Sequence, residues 1–195
     1  MIIIRQKCFG LFSIFNSRPK TYEDLLKCSQ KLESDNEIKL PKDWYSYLKN
    51  YYDFTRQYDQ KIVALKKRNN IYRVLLDSTF LVPSDEMSVY SEGERRFVEL
   101  AYVDDSFDDL YSNCPIDVGF NEILWNISGN YYYSTQFLSF PEKYRSIKNL
   151  IKTVIGSKLQ DIQLNSNWVY NNGGDESGVR ELVEIIKTYI KVTTK

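Results

Sequence analysis

Histidine is absent from this 195-residue chain. Its absence excludes Ser-His-Asp triads, Cys-His proteases, His-ligated zinc or haem, and imidazole acid–base catalysis. Cysteine is scarce too. Cys8, Cys28 and Cys114 make an odd number with no CxxC, which is neither a disulfide framework nor a zinc site. They read as reduced, buried thiols of a cytoplasmic protein. Long apolar runs are also missing: the best candidate is CFGLFSIF at 8–15, and a membrane span needs about 20 residues. The nucleotide fingerprints G-x-x-x-x-G-K-[ST] and G-x-G-x-x-G are absent. No cofactor is expected.

What is present is the composition of a globular chain, with 43% hydrophobic and 27% charged residues. Its length suits a single domain over 1–195, able to bury a core without metal or disulfide. No linker, low-complexity segment or internal repeat interrupts it. The first 20 residues carry Arg5, Lys7, Arg18 and Lys20 and no acid. Arg5-Gln6-Lys7 splits the apolar stretch and no A-x-A-like site follows, so a secretory leader is not the reading. One or two strands, or a strand and a short apolar turn, are expected there.

Net charge is zero but unevenly spread. Residues 1–73 hold 15 basic and 8 acidic residues, a net of +7. Residues 74–122 hold 2 basic and 12 acidic, a net of −10. Residues 123–195 hold 9 basic and 6 acidic, a net of +3. Such asymmetry is a statement about partners rather than fold. The acidic maximum is AYVDDSFDDLYSNCP, where Asp104, Asp105, Asp108 and Asp109 alternate with Tyr102, Phe107 and Tyr111. Four carboxylates this close repel one another and must face solvent, a cation or a basic partner. Three readings follow: a solvated loop, a divalent-metal loop, or an acidic docking surface with aromatic anchors. The EF-hand spacing is missing. Lys66-Lys67-Arg68 sits where a helix should end and complements its dipole. With no named nucleic-acid signature, no nucleic-acid partner is expected.

Helical spacing predicts a helix over 21–34, with Thr21 and Asp24 as a capping box. A second runs over 42–68, with Trp44, Leu48, Tyr51, Tyr58, Ile62 and Leu65 as its buried stripe and Asn69-Asn70 as its stop. IYRVLL, STFLV, MSVYS, RFVELAYV, ILWNI and YYYSTQFL then read as strands, with a helix as the alternative for RRFVELAYV. Glu92-Gly93 and Gly129-Asn130 read as hairpin turns. A helix is expected over 142–155, ended by Gly156, then a short strand near 159–164, a turn at 171–174 and a last helix over 177–191. The loop GGDESG could seat an anion, but Asp175 and Glu176 oppose phosphate and a turn with an N-cap explains the same residues. Clustered strands give an α+β fold: a mainly antiparallel central sheet with N-terminal and C-terminal helices packed on it.

The stretch IKLPKDWYSYLKNYYDF (38–54) resembles the start of SUKH-superfamily domains, with Leu40, Pro41, Asp43, Trp44, Tyr47 and Leu48 at matching positions. FLVPSDEM and NCPIDVGFNEILWNISGNYYY are similar to that family's strand, acidic turn and Pro-led strand. The family usually shows Asn-Gly where its helix ends; here Asn50 precedes Tyr51. The resemblance implies an α+β immunity protein that neutralises a bacterial toxin, often a nuclease.

Together these observations give an expected function: a non-catalytic, cytoplasmic immunity-type protein that binds a basic toxin domain. Its expected partner-binding residues are Glu99, Tyr102, Asp104, Asp105, Phe107, Asp108, Asp109, Tyr111 and Asp117. The alternatives are a carboxylate-based metal-dependent enzyme and a structural or assembly subunit. No membrane partner is expected.

Overall fold

A computed structural model describes residues 6–7, 21–84, 87–92, 94–103, 113–116, 121–135 and 143–195. Helix α1 (Tyr22–Asn36) starts as its sequence dictates. The Thr21 side chain accepts from the Asp24 N–H at 3.2 Å, and the Asp24 carboxylate takes the Thr21 N–H at 3.1 Å. Glu37, in the left-handed region (φ 50°), ends it.

Helix α2 (Lys42–Arg68) buries Trp44, Tyr47, Leu48, Phe54, Ile62 and Leu65. The basic residues of its last turn are partly spent within the fold. Lys66 pairs with Asp77, and Arg68 with Asp175 at 2.7 Å. Asn69 closes α2, and its side chain then accepts the Ile71 N–H at 2.9 Å to open α3 (Asn70–Asp77). IYRVLL is therefore helix, not strand. Short apolar runs are ambiguous in period, and here the Asn69 cap and packing against α2 and α6 decide.

One seven-stranded antiparallel sheet follows. It contains β1 (Gln6–Lys7), β2 (Leu81–Pro83), β3 (Ser88–Glu92), β4 (Arg95–Val103), β5 (Asn121–Asn126), β6 (Asn130–Thr135) and β7 (Lys143–Tyr144). Strands β3 to β7 are sequential neighbours, and β1 borders β3. Strands β2 and β3 lie in succession along the same edge of β4. RRFVELAYV is strand β4, the central and longest one. Gly129 (φ 110°) makes the β5–β6 turn.

Helix α4 (Ile147–Leu164) begins at Ser146, whose hydroxyl accepts the Asn149 N–H at 3.2 Å, rather than at 142. It runs through Gly156, where nothing would meet an added Cβ within 4 Å. A single glycine costs a helix about 1 kcal/mol and does not stop it. The expected strand at 159–164 is the end of α4 instead. Helix α5 (Ser166–Asn171) and a turn at Gly173 (φ 91°) lead into α6 (Glu176–Thr193). Asp175 caps α6 through the Gly178 N–H at 2.9 Å.

The fold is α+β with helices toward both ends of the chain. Cross-strand partners share a face. Val98, Ala101, Val103, Ile123, Trp125 and Tyr131 share one face and join side chains of α1, α2, α3, α4 and α6 in one core. Cys28 and Cys114 are half-buried rather than buried; Cys8 lies outside the described residues.

Candidate binding surface

Strand β4 carries the only two expected contact residues that the structure describes, Glu99 and Tyr102. Its register with β5 jumps from Glu99↔Leu124 to Ala101↔Ile123, leaving Leu100 as an extra residue. This bulge shifts the alternation. Glu99 and Tyr102, three positions apart, thus reach the same face, with Phe97, Glu122, Leu124 and Tyr132. An unbulged strand would place them on opposite faces. That face is the reverse of the helix-covered one. Phe97 and Leu124 are buried there, and the Phe97 and Tyr132 rings meet edge-on at 5.8 Å.

Tyr102 is half-buried, opposite Glu122 on β5 and Val82 on β2. Glu99 accepts a 3.4 Å hydrogen bond from the Ser84 hydroxyl. Tyr102 also lies within electrostatic reach of α2. Burial pushes the Tyr51 hydroxyl pKa up, and the nearby Tyr189, Tyr52 and Tyr102 hydroxyls push it further. Asp104, Asp105, Phe107, Asp108, Asp109, Tyr111 and Asp117 lie outside the described residues. Their anchors do not. Strand pairing ends at Val103↔Asn121, so both ends of the 104–120 connection meet the sheet at one point. Ile116, within that connection, is buried in the core. The connection holds five aspartates and no Lys or Arg.

Two further features escaped the sequence reading. Asp43, in the first turn of α2, accepts the Tyr131 hydroxyl at 2.7 Å and the Ile147 N–H at 3.0 Å. One carboxylate thereby joins α2, β6 and the start of α4. In sequence Asp43 reads as a cap or first-turn residue of the helix and as a position of the SUKH-like stretch, and neither distant partner is legible there. Lys158 is buried on α4. Its ammonium donates to the Ser78 carbonyl at 2.6 Å and stands 5.9 Å from the centre of the Tyr133 ring. A lysine between Ser157 and Leu159 gives no sign of this in sequence.

Among the described residues, no group of three or more Cys, Asp or Glu side chains could hold a metal ion, and no helix is long and apolar enough to cross a membrane. No family model, curated protein or solved structure matches the chain.

Proposed function

We propose that this chain is a non-catalytic immunity-type protein, a single domain working in the bacterial cytoplasm. It neutralises a basic toxin through the β4–β5 connection. The observation that carries the reading is the fusion of sequence and topology at that point. A segment with five aspartates and no compensating cation leaves and rejoins the sheet at Val103↔Asn121, beside Glu122 and Tyr102. Carboxylates held on one hairpin steer encounter with a cationic surface and repel acidic proteins. Phe107, Tyr111 and Tyr102 supply apolar anchors, the residue types that dominate binding energy. A nuclease fits as partner because its substrate-binding surface must attract phosphate, so an acidic protein competes for the same cations. The similarity of residues 38–54 to SUKH-type immunity domains supports the same reading.

The test is calorimetric titration of the chain against the toxin domain encoded beside its gene, from about 50 to about 300 mM salt. The variant D104N/D105N/D108N/D109N should weaken binding at least about tenfold, a loss of about 1.4 kcal/mol, and flatten its salt dependence. Affinity and salt slope equal to those of the parent would remove the connection from the interface. Absence of a toxin-like neighbour, with no inhibition of any toxin domain, would remove the immunity reading.

A further inference from the structure

A second charged surface forms where α2 and α4 begin side by side. Asp43 fixes the junction, its two oxygens taken by the Tyr131 hydroxyl and the Ile147 N–H. Lys42 precedes Asp43 in the chain. Arg145 and Lys148 flank Ser146-Ile147. Lys143 in β7 pairs with Tyr132 and so lies on the opposite face of the sheet, outside this surface. Lys152 lies one turn beyond Lys148 on α4, on the same side of the helix. Lys42, Arg145, Lys148 and Lys152 are all exposed. None forms an ion pair with a described residue, whereas Lys49, Lys66, Arg68, Arg180 and Lys187 all do. From 143 to 160 the chain holds five basic residues and no acid. Summing charge along the sequence conceals this strip, because Lys42 comes from a distant segment and Asp43 is already bonded.

We propose that this strip binds the phosphate backbone of nucleic acid. Several exposed cations with no ion pair to a described residue suit a polymer with a charge at every step, whose binding is driven by release of condensed counterions. A protein partner fits less well. Protein interfaces are depleted in lysine at their centres and built on aromatic or apolar anchors. Here lysines dominate, and among the described residues the exposed large apolar side chains are Val63 and Tyr170 on other helices and Leu164 at the far end of α4. The strip reads no base edges, so binding is independent of sequence. This inference stands apart from the toxin-binding reading, since it uses neither the β4–β5 connection nor its acids.

The experiment is fluorescence anisotropy of a labelled oligodeoxythymidylate of about 20 nucleotides with the full chain. Four contacts to a single strand give a slope of about −2.8 in log K against log salt, so affinity falls roughly fiftyfold from 50 to 200 mM. The pair K148Q/K152Q reduces that slope by about 1.4, and K42Q by about 0.7. K67Q is the control: it removes the same charge from the far end of α2, about 37 Å from Lys42, and should leave binding unchanged. These exposed substitutions should not move the melting temperature. Lack of binding at 50 mM salt overturns the proposal. So does equal weakening by K67Q, which would mean diffuse attraction. Displacement of the oligonucleotide by polyglutamate at matched charge, with the same dependence on Lys148 and Lys152, would assign the strip to an acidic protein instead.

Discussion

The Tyr47 and Tyr189 hydroxyls stand 3.0 Å apart in the core and close a circuit on the backbone of Leu81. The Tyr47 hydroxyl donates to the Leu81 carbonyl, which can only accept. The Leu81 N–H donates to the Tyr189 oxygen at 3.2 Å. The remaining Tyr189 proton therefore points at Tyr47. Three buried groups satisfy one another, and helices α2 and α6 are locked onto the first residue of β2. Phe54 and Phe80 enclose Tyr189 with ring centroids at 5.3 and 4.9 Å.

Removing one member strands the others. Tyr189→Phe leaves the Leu81 N–H without its acceptor and Tyr47 without its donor, at a cost of about 1–3 kcal/mol. Tyr47→Phe strands the Leu81 carbonyl at a similar cost. Because the hydroxyls act as one network, the double variant should lose less than the sum of the singles. Urea denaturation of the three variants measures the coupling. Strict additivity would show that the circuit does not act as a unit.

Alkaline pH attacks the same groups. Burial raises the hydroxyl pKa of Tyr47, Tyr51, Tyr131 and Tyr189 above the usual tyrosine value; for Tyr131 the Asp43 carboxylate adds to the effect. Each folded value exceeds the unfolded one, so this stabilisation is whole below about pH 10 and is lost as pH rises through the folded values. Each tyrosine contributes a slope of at most about 1.4 kcal/mol per pH unit. The urea midpoint should hold from pH 8 to 9.5 and fall steeply above 10, less steeply in Tyr131→Phe. Tyrosinate absorbance should show the buried set ionising with unfolding and not before it.

Two helical glycines should respond in opposite directions to alanine. A Cβ on Gly178 would overlap the Tyr72 hydroxyl and ring, with Cε2 at 2.7 Å. Tyr72 cannot yield, since its ring is fully buried and its oxygen accepts the Asp175 N–H at 2.7 Å. Gly178→Ala should cost about 1–3 kcal/mol by overpacking. Gly156 meets nothing, and Gly156→Ala should gain up to about 1 kcal/mol by helix propensity. Thermal melting of the two variants decides; equal shifts would refute the packing argument.

These glycines also show what the sequence can and cannot disclose. Local signals were legible where one segment decides its own state, as in the Thr21–Asp24 capping box, the Asp175 cap and most of the α2 stripe, though Tyr51 and Tyr58, expected buried there, are half-buried while Tyr47 and Phe54 are buried. They failed where a distant partner decides. IYRVLL has strand composition, yet Asn69 caps it and α2 and α6 cover it. Gly156 looks like a stop, yet α6 and the sheet hold α4 together across it. For the candidate surface, the charge of the β4–β5 connection could be read directly. The bulge that brings Glu99 and Tyr102 to one face could not, because it exists only in the pairing with β5. The basic strip was hidden for the same reason: Lys42 and Lys148 become neighbours only when Asp43 reaches Ile147.

Asp43 itself offers the sharpest distinction between charge and hydrogen bonding. Its Oδ1 accepts from Tyr131 and its Oδ2 from the first N–H of α4. Asp43→Ala removes both acceptors from half-buried ground, at a cost of about 1–3 kcal/mol. Asp43→Asn keeps a workable geometry. The amide oxygen accepts the Ile147 N–H, and the amide nitrogen donates to the Tyr131 oxygen, whose own proton turns away. What is lost is the negative charge at the start of α4, a term of about 0.3–1 kcal/mol. Asn should therefore retain most of the stability that Ala forfeits. Denaturation of both variants at low and high salt checks this: both deficits should shrink by the same small charge contribution, which removes most of the Asn deficit and leaves most of the Ala deficit in place. Equal losses in Asn and Ala would mean that charge, not hydrogen bonding, holds α2 to α4.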